Sequence, residues 1–211
     1  MMAAPLADGV LLPRDLPLWQ MARPYLDVRC NDEHTIIAYA LARAFLRENP
    51  GADESVVLPA ILLHDVGWKR IDPDLLLLAI GRNPTRKDLV RDHEVHGVKM
   101  AREILESHRP EGVDIDAVLA IIDGHDTTKN ARSLNDAVVK DADKAWRATM
   151  HGMTTICGWY GTTLAEHVET LEKVSNPYML TPAGRAFAEA MCASVKAQTM
   201  LDGYMGRTTN D

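Results

Sequence analysis

The sequence predicts an all-α protein, a single-domain helical bundle. Three observations predict it. Apolar residues recur at helical spacing in window after window. Those windows are bounded by capping residues and by Pro or Gly stops. No alternating pattern of useful strand length appears. The 211 residues suit one domain with a substantial core, and no internal repeat divides them.

In chain order, residues 1–14 contain Pro5 and Pro13 without a clear period and read as an N-terminal arm. The helical domain is expected over residues 15–200. Residues 16–26 make a short helix interrupted at Pro24. Asn31 or Asp32 caps a helix running to about Glu48, with Ile37, Leu41, Ala44 and Phe45 at helical spacing, and Asn49-Pro50-Gly51 stops it. Asp53 begins a helix that is apolar nearly all round, through Val56, Val57, Leu58, Ala60, Ile61, Leu62 and Leu63, as one buried on every side would be. A short apolar helix follows around Leu75 to Ile80. A long amphipathic helix spans Asp88 to about Ser107, with His93, Gly97, Met100, Ala101, Ile104 and Leu105 inward. Another runs from Asp114 to about Gly124. Asn135 or Asp136 caps the next, whose stripe is Val139, Ala142, Asp143, Trp146 and Met150. Gly158-Trp159-Tyr160-Gly161 reads as a connection between helices. Helices over 162–174 and from Pro182 to about Gln198 complete the bundle, and residues 201–211 read as a frayed tail.

Composition removes several function classes. A formal charge of −7 disfavours nucleic acid and anionic membranes as partners. With 5% aromatic residues there is little for a base-stacking platform. No segment reaches the unbroken apolar length of a membrane span, and the N-terminus lacks the pattern of a secretory signal. Cys30, Cys157 and Cys192 are odd in number and widely spaced, which fits neither a disulfide framework nor a zinc ribbon and points to the cytoplasm.

The chain is organised around Ala60-Ile61-Leu62-Leu63-His64-Asp65-Val66-Gly67-Trp68, where a buried apolar run ends in an adjacent imidazole and carboxylate. Burying that pair is costly unless both are satisfied, and a divalent cation satisfies both at once. Neighbours on a helix point about 100° apart, so the two converge on one centre only if the helix ends there, an ending assigned to Gly67. Four more polar residues sit on apolar stripes: His34, His93, His125 and Asp143. A single core histidine is more often hydrogen-bonded than metal-bound. A buried, unpaired aspartate is rare, and the inward-facing set as a whole is rich in nitrogen and oxygen donors suited to a transition metal.

The order His34, His64-Asp65, His93, His125, Asp143 resembles the HD-domain metalloenzyme superfamily. Leu62-Leu63-His64-Asp65-Val66-Gly67 is similar to the signature that names that family. His93-Glu94-Val95-His96-Gly97 with Ala101 and Ile104-Leu105 resembles its third-histidine helix, and Lys140-Asp141-Ala142-Asp143-Lys144 resembles its closing Ala-Asp motif. The resemblance covers roughly residues 30–150. It implies two divalent metal ions, with His34, His64 and Asp143 on the first, Asp65 bridging, and His93 and His125 on the second. His96 competes with His93 for a ligand place, and Asp141 with Asp143. The spacing to Gly97 favours His93, and the apolar stripe favours Asp143. Iron or manganese is expected, and the same donors admit magnesium.

The implied activity is that of a metal-dependent phosphohydrolase acting on a small phosphoester or nucleotide. Two cations sharing a carboxylate acidify water, so that hydroxide is present near neutral pH, and they balance charge on the transferring phosphoryl group. Catalytic roles fall to His64 and Asp65. Lys69, Arg70, Lys129, Lys144 and Arg147 are near ligands in sequence and are candidate phosphate contacts; Lys69 and Lys144 are the two assigned to catalysis. Some binuclear relatives carry a Lys directly after the signature Gly, where this chain has Trp68. Asp126 either shapes the mouth of the site or orients a ligand histidine. His108, His151 and His167 read as ordinary residues. A second reading is a mixed-valent diiron oxygenase cleaving an organophosphonate or polyol, with Tyr25 as a candidate aromatic gate. A third is a non-catalytic ligand-binding module. The C-terminal helices are candidate surfaces for self-association or a lid.

Overall fold

The structure, a computed structural model, describes residues 9–80 and 84–206. Most of the expected arm and the end of the expected tail, residues 1–8 and 207–211, lie outside the described residues. Ten α-helices and no strand occur among the described residues. None of these helices is long and apolar enough to cross a membrane.

The bundle is built around α3 (Glu54–Leu63). Asp53 caps it by accepting a hydrogen bond from Ser55 N–H. Every residue from Val56 to Leu63 is buried, because α1 (Leu16–Ala22), α2 (Asn31–Glu48), α6 (Ile115–Ile122) and α7 (Leu134–Ala145) pack around it. All its faces are apolar, as a helix enclosed on every side requires. Truncating Leu62, fully buried here, would cost about 2–5 kcal/mol.

α5 (Asp88–His108) crosses the 3₁₀ turn Val66–Arg70 that follows α3 and packs on α6. α4 (Leu76–Ile80) and α5 enclose a small second core of Trp68, Ile71, Leu76, Ala79 and Leu89. The C-terminal helices are α8 (Met150–Tyr160), α9 (Leu164–Thr170) and α10 (Pro182–Tyr204). α9 carries a capping box between Thr163 and Glu166 and continues into a π-helical turn, Leu171–Ser175. α10 packs on α9, α7 and α2, with Phe187 edge-on to Phe45 at 5.9 Å. Residues 10–12 are tied to α2: the Leu12 N–H donates to Tyr39, whose hydroxyl donates to Asp15 at 2.5 Å.

Several local expectations are corrected. The N-cap of α2 is Cys30, without a side-chain cap, and Asn31 and Asp32 lie inside the first turn, where Asp32 accepts from Glu33 N–H at 2.9 Å; Arg29 and Cys30 before it are both left-handed at φ 55° and 59°. α7 is capped by Ser133, which accepts from Asp136 N–H, two residues before the expected start. Gly158-Trp159-Tyr160 belongs to α8 rather than to a connection, and only Gly161, at φ 62°, leaves the helix. α10 continues to Tyr204.

Candidate metal centre

The helix geometry delivers two adjacent donors to one point. α3 ends at Leu63, His64 keeps helical angles, and Asp65 departs to φ −102°, ψ 2°. Gly67 does not end the helix. It sits where the 66–70 turn meets α5, and a Cβ there would lie 1.9 Å from the His93 carbonyl oxygen and 2.5 Å from the Gly97 nitrogen. Only glycine allows that approach, which brings His93 opposite Asp65.

The six predicted residues converge. His64 and His93 are 0% exposed, His125 1%, His34 and Asp143 6%, and Asp65 8%. Around Asp65 Oδ2 lie His34 Nε2 at 3.7 Å and His64 Nε2 at 3.5 Å. These two nitrogens are 3.1 Å apart, and Asp143 Oδ1 is 3.2 Å from His34 Nε2 and 3.7 Å from that of His64. Around Asp65 Oδ1 lie His93 Nε2 at 3.8 Å and His125 Nε2 at 3.6 Å, themselves 3.3 Å apart. The two oxygens of one carboxylate therefore face two separate donor clusters. Asp126 Oδ2 stands 3.8 Å from both His93 and His125 Nε2.

This donor chemistry fits metal ions. His64 Nδ1–H donates to the Ile61 carbonyl at 2.8 Å, and His125 Nδ1–H to the Ile122 carbonyl at 2.9 Å. That fixes their tautomers and leaves the Nε2 lone pairs aimed into the cluster. Donors about 2.1 Å from a shared cation stand about 3.0–3.4 Å apart, close to the spacings seen. Among the described residues, His34 Nδ1 and His93 Nδ1 have no hydrogen-bond partner.

Electrostatics follow the same geometry. Burial opposes ionisation of Asp65, but His64, His125, His34 and His93 outweigh it and hold its carboxyl well below the usual range. Asp143 is lowered likewise against burial, by His34 and His64. Burial lowers His125, but Asp65, Asp126 and Asp143 prevail and push it up to about 10. Burial and then His125 push His93 down to about 4. A proton and a cation compete for these lone pairs.

The competing residues separate cleanly. Asp141 lies on another face of α7, where it accepts from Leu180 N–H, Thr181 N–H and the Thr181 hydroxyl and anchors the start of α10. His96 joins neither cluster, since three positions along α5 leave it half-buried elsewhere. Trp68 explains the departure from a Lys. Its Nε1–H donates to Asp65 Oδ1 at 3.1 Å, and its ring stacks on His93 at 4.0 Å and 11°.

A cavity of about 570 Å³ opens onto Asp65, His34, Asp126 and Asp143. Among the described residues, its cations are Arg29 and Arg147. Lys69 does not line it but pairs with Asp27 on the exterior at 2.5 Å. Lys144 does not line it either, because one step past Asp143 turns its side chain to another face of α7. Tyr25 is likewise outside the lining, whereas Trp146, Trp159, Tyr160 and His167 are in it. The Arg29 guanidinium sits 5.7 Å from the Trp68 ring and 4.8 Å from the Trp159 ring. Nothing in the sequence marks Arg29, whereas Trp159 and Tyr160, expected in a connection between helices, line the cavity from α8. Nor does the sequence mark two buried clamps. Glu94 accepts from Asp126 N–H, Thr127 N–H, the Thr127 hydroxyl and Arg91. Lys140 Nζ donates to Thr128 and Asn130 carbonyls and to the Thr128 hydroxyl.

The HD-domain family model matches residues 31–147, just over half of the chain. The chain belongs to the HD-domain family, a superfamily of metal-dependent phosphohydrolases. No curated protein and no solved structure matches it.

Proposed function

We propose that this HD-domain protein is a binuclear metal-dependent phosphohydrolase acting on a small phosphoester of nucleotide size. The observation that carries the reading is Asp65, whose Oδ2 faces His34 and His64 while its Oδ1 faces His93 and His125. His34, His64 and Asp143 would hold one ion, His93 and His125 the other, and Asp65 both. Divalent iron or manganese suits these mixed donors; the pair would acidify water and draw charge from a phosphoryl group.

The chain's own groups do the rest. Trp68 holds Asp65 in its bridging position through the Nε1–H contact. The Ile61 and Ile122 carbonyls keep His64 and His125 in the tautomer that presents Nε2. Arg29 has no ion-pair partner among the described residues, and its donors are available to a phosphate beside Asp65. Arg147 lines the same cavity. Trp146, Trp159 and Tyr160 exclude water and offer flat walls to a ring. The volume lies within the range of small-molecule sites. Cys30, Cys157 and Cys192 are all free, which supports a reducing, cytoplasmic setting.

The test measures phosphate release and dioxygen uptake in parallel. The full chain is supplied with manganese or iron and a panel of nucleotides, sugar phosphates and phosphonates. Phosphate release without dioxygen uptake, abolished in Asp65→Ala, is expected. Iron-dependent dioxygen uptake matching substrate loss would establish the oxygenase reading instead, and full turnover by Asp65→Ala would sink the binuclear mechanism.

A further inference from the structure

The six-residue set leaves the two centres unequal, since the first has a terminal carboxylate in Asp143 and the second has none. We infer that Asp126 is the missing carboxylate, a terminal ligand of the second ion. Each ion is then held by two imidazoles, one carboxylate of its own and one oxygen of Asp65. The inference rests on the binuclear reading above.

Three observations carry it. Asp126 Oδ2 is equidistant from His93 and His125 Nε2 at 3.8 Å. Asp65 Oδ1 stands 3.8 and 3.6 Å from the same two atoms. The two carboxylates thus approach the imidazole pair alike, from separate segments. Second, His93 is 0% exposed, and among the described residues its Nε2 has no hydrogen-bond partner except the facing His125 Nε2. It is a fully buried donor atom aimed at the point Asp126 borders. Third, the loop carrying His125 and Asp126 is clamped by two buried charges. Glu94, 0% exposed, takes the Asp126 and Thr127 N–H groups at 2.9 Å each. Lys140, 1% exposed, grips Thr128 and Asn130 just beyond. Each clamp is itself an ion pair, Glu94 with Arg91 at 2.8 Å and Lys140 with Asp136 at 3.2 Å, so satisfied charges hold the loop in one place and present Asp126 to the imidazole pair as a metal ligand must be presented.

Charge points the same way. Against two divalent cations, Asp65 and Asp143 leave two positive charges in a buried site. Asp126 reduces that to one. In this scheme Glu94 is a positioning residue that acts through the Asp126 main chain.

The deciding measurement is Mn2+ binding to the chelator-treated full chain, by calorimetric titration and elemental analysis. The variants are Asp126→Asn and Asp126→Ala, with His93→Ala as the reference for loss of the second site. Neither Asp126 substitution touches the main-chain N–H that Glu94 holds, and a thermal melt checks that both fold. The wild type is expected to take two Mn2+ per chain. Both Asp126 variants should keep one and bind the other at least tenfold more weakly, as is expected of His93→Ala. Two ions held by Asp126→Asn with wild-type affinity would overturn the assignment. If turnover nonetheless fell, Asp126 would act on substrate instead. Fewer than two ions in the wild type would overturn the binuclear reading itself, so the two failures are distinct.

Discussion

Gly67→Ala tests how closely the centre depends on one backbone approach. The added Cβ would stand 1.9 Å from the His93 carbonyl oxygen, 2.5 Å from Gly97 N and 2.9 Å from Gly97 Cα. All three are main-chain atoms of α5, so no rotamer change relieves the clash. Ordinary contact begins near 3.4 Å, so the 66–70 turn and α5 must part by about 1.5 Å. Overpacking a core typically costs about 1–3 kcal/mol, and a clash with backbone belongs at the upper end. For a chain of this size that lowers the melting temperature by about 6–12 °C. The same displacement carries His93 away from Asp65, beyond the roughly 0.2 Å tolerance of a ligand distance. Melting in excess chelator isolates the packing cost, and Mn2+ titration reads the second. Gly158→Ala is the control: its Cβ meets nothing within 4 Å inside α8, and it should stabilise by about 0.5–1 kcal/mol. A Gly67→Ala protein that melts within about 2 °C of wild type and binds Mn2+ normally would refute this account of Gly67.

Other consequences are as specific. Trp68→Phe keeps a ring to stack on His93 but removes the donor to Asp65 Oδ1; metal affinity or turnover should fall about 10–100-fold, and unchanged values would remove Trp68 from the site's support. Glu94→Gln turns one face of its carboxyl from acceptor to donor toward Asp126, Thr127 and Arg91. Denaturant unfolding should show a loss of about 1–3 kcal/mol, and an unshifted midpoint would contradict the clamp. Tyr39 has its pKa raised by burial and then by donation to Asp15. Its folded value exceeds the unfolded one, so its contribution is complete below about pH 10 and is lost as pH rises further. Tyr39→Phe should flatten that alkaline limb of the stability curve; an equally steep limb would refute the assignment.

The parts of the centre legible in the sequence are those that leave a local imprint. His34, His93 and Asp143 interrupt apolar stripes, and His64-Asp65 ends an all-apolar run, so burial and polarity conflict within a few residues. That conflict is visible without coordinates. The helix starts at Asp53 and Asp114 are legible from local residue type, and both residues prove to be side-chain caps. Arg29 is not, because its neighbours Trp68 and Trp159 lie about 40 and 130 positions away. The Glu94 clamp spans 32 residues to Asp126, and neither partner disturbs a helical period. Gly67 reads as a helix stop, since close approach between segments leaves no trace in one strand of sequence. Lys69 and Lys144 are candidates through nearness along the chain alone, which on a helix or tight turn says little about direction.

The left-handed pair at the entry of α2 has a consequence of its own. Arg29 and Cys30 hold φ of 55° and 59° without being glycine, a conformation costing roughly 1 kcal/mol or more per residue. That backbone hangs the Arg29 guanidinium between two indole rings at the cavity wall. A glycine at position 30 would relax the entry and raise the melting point. It would also let the guanidinium swing away from the cavity wall. Selection for robustness alone should therefore erode this corner first, and only a demand for the Arg29 placement itself would keep it under tension.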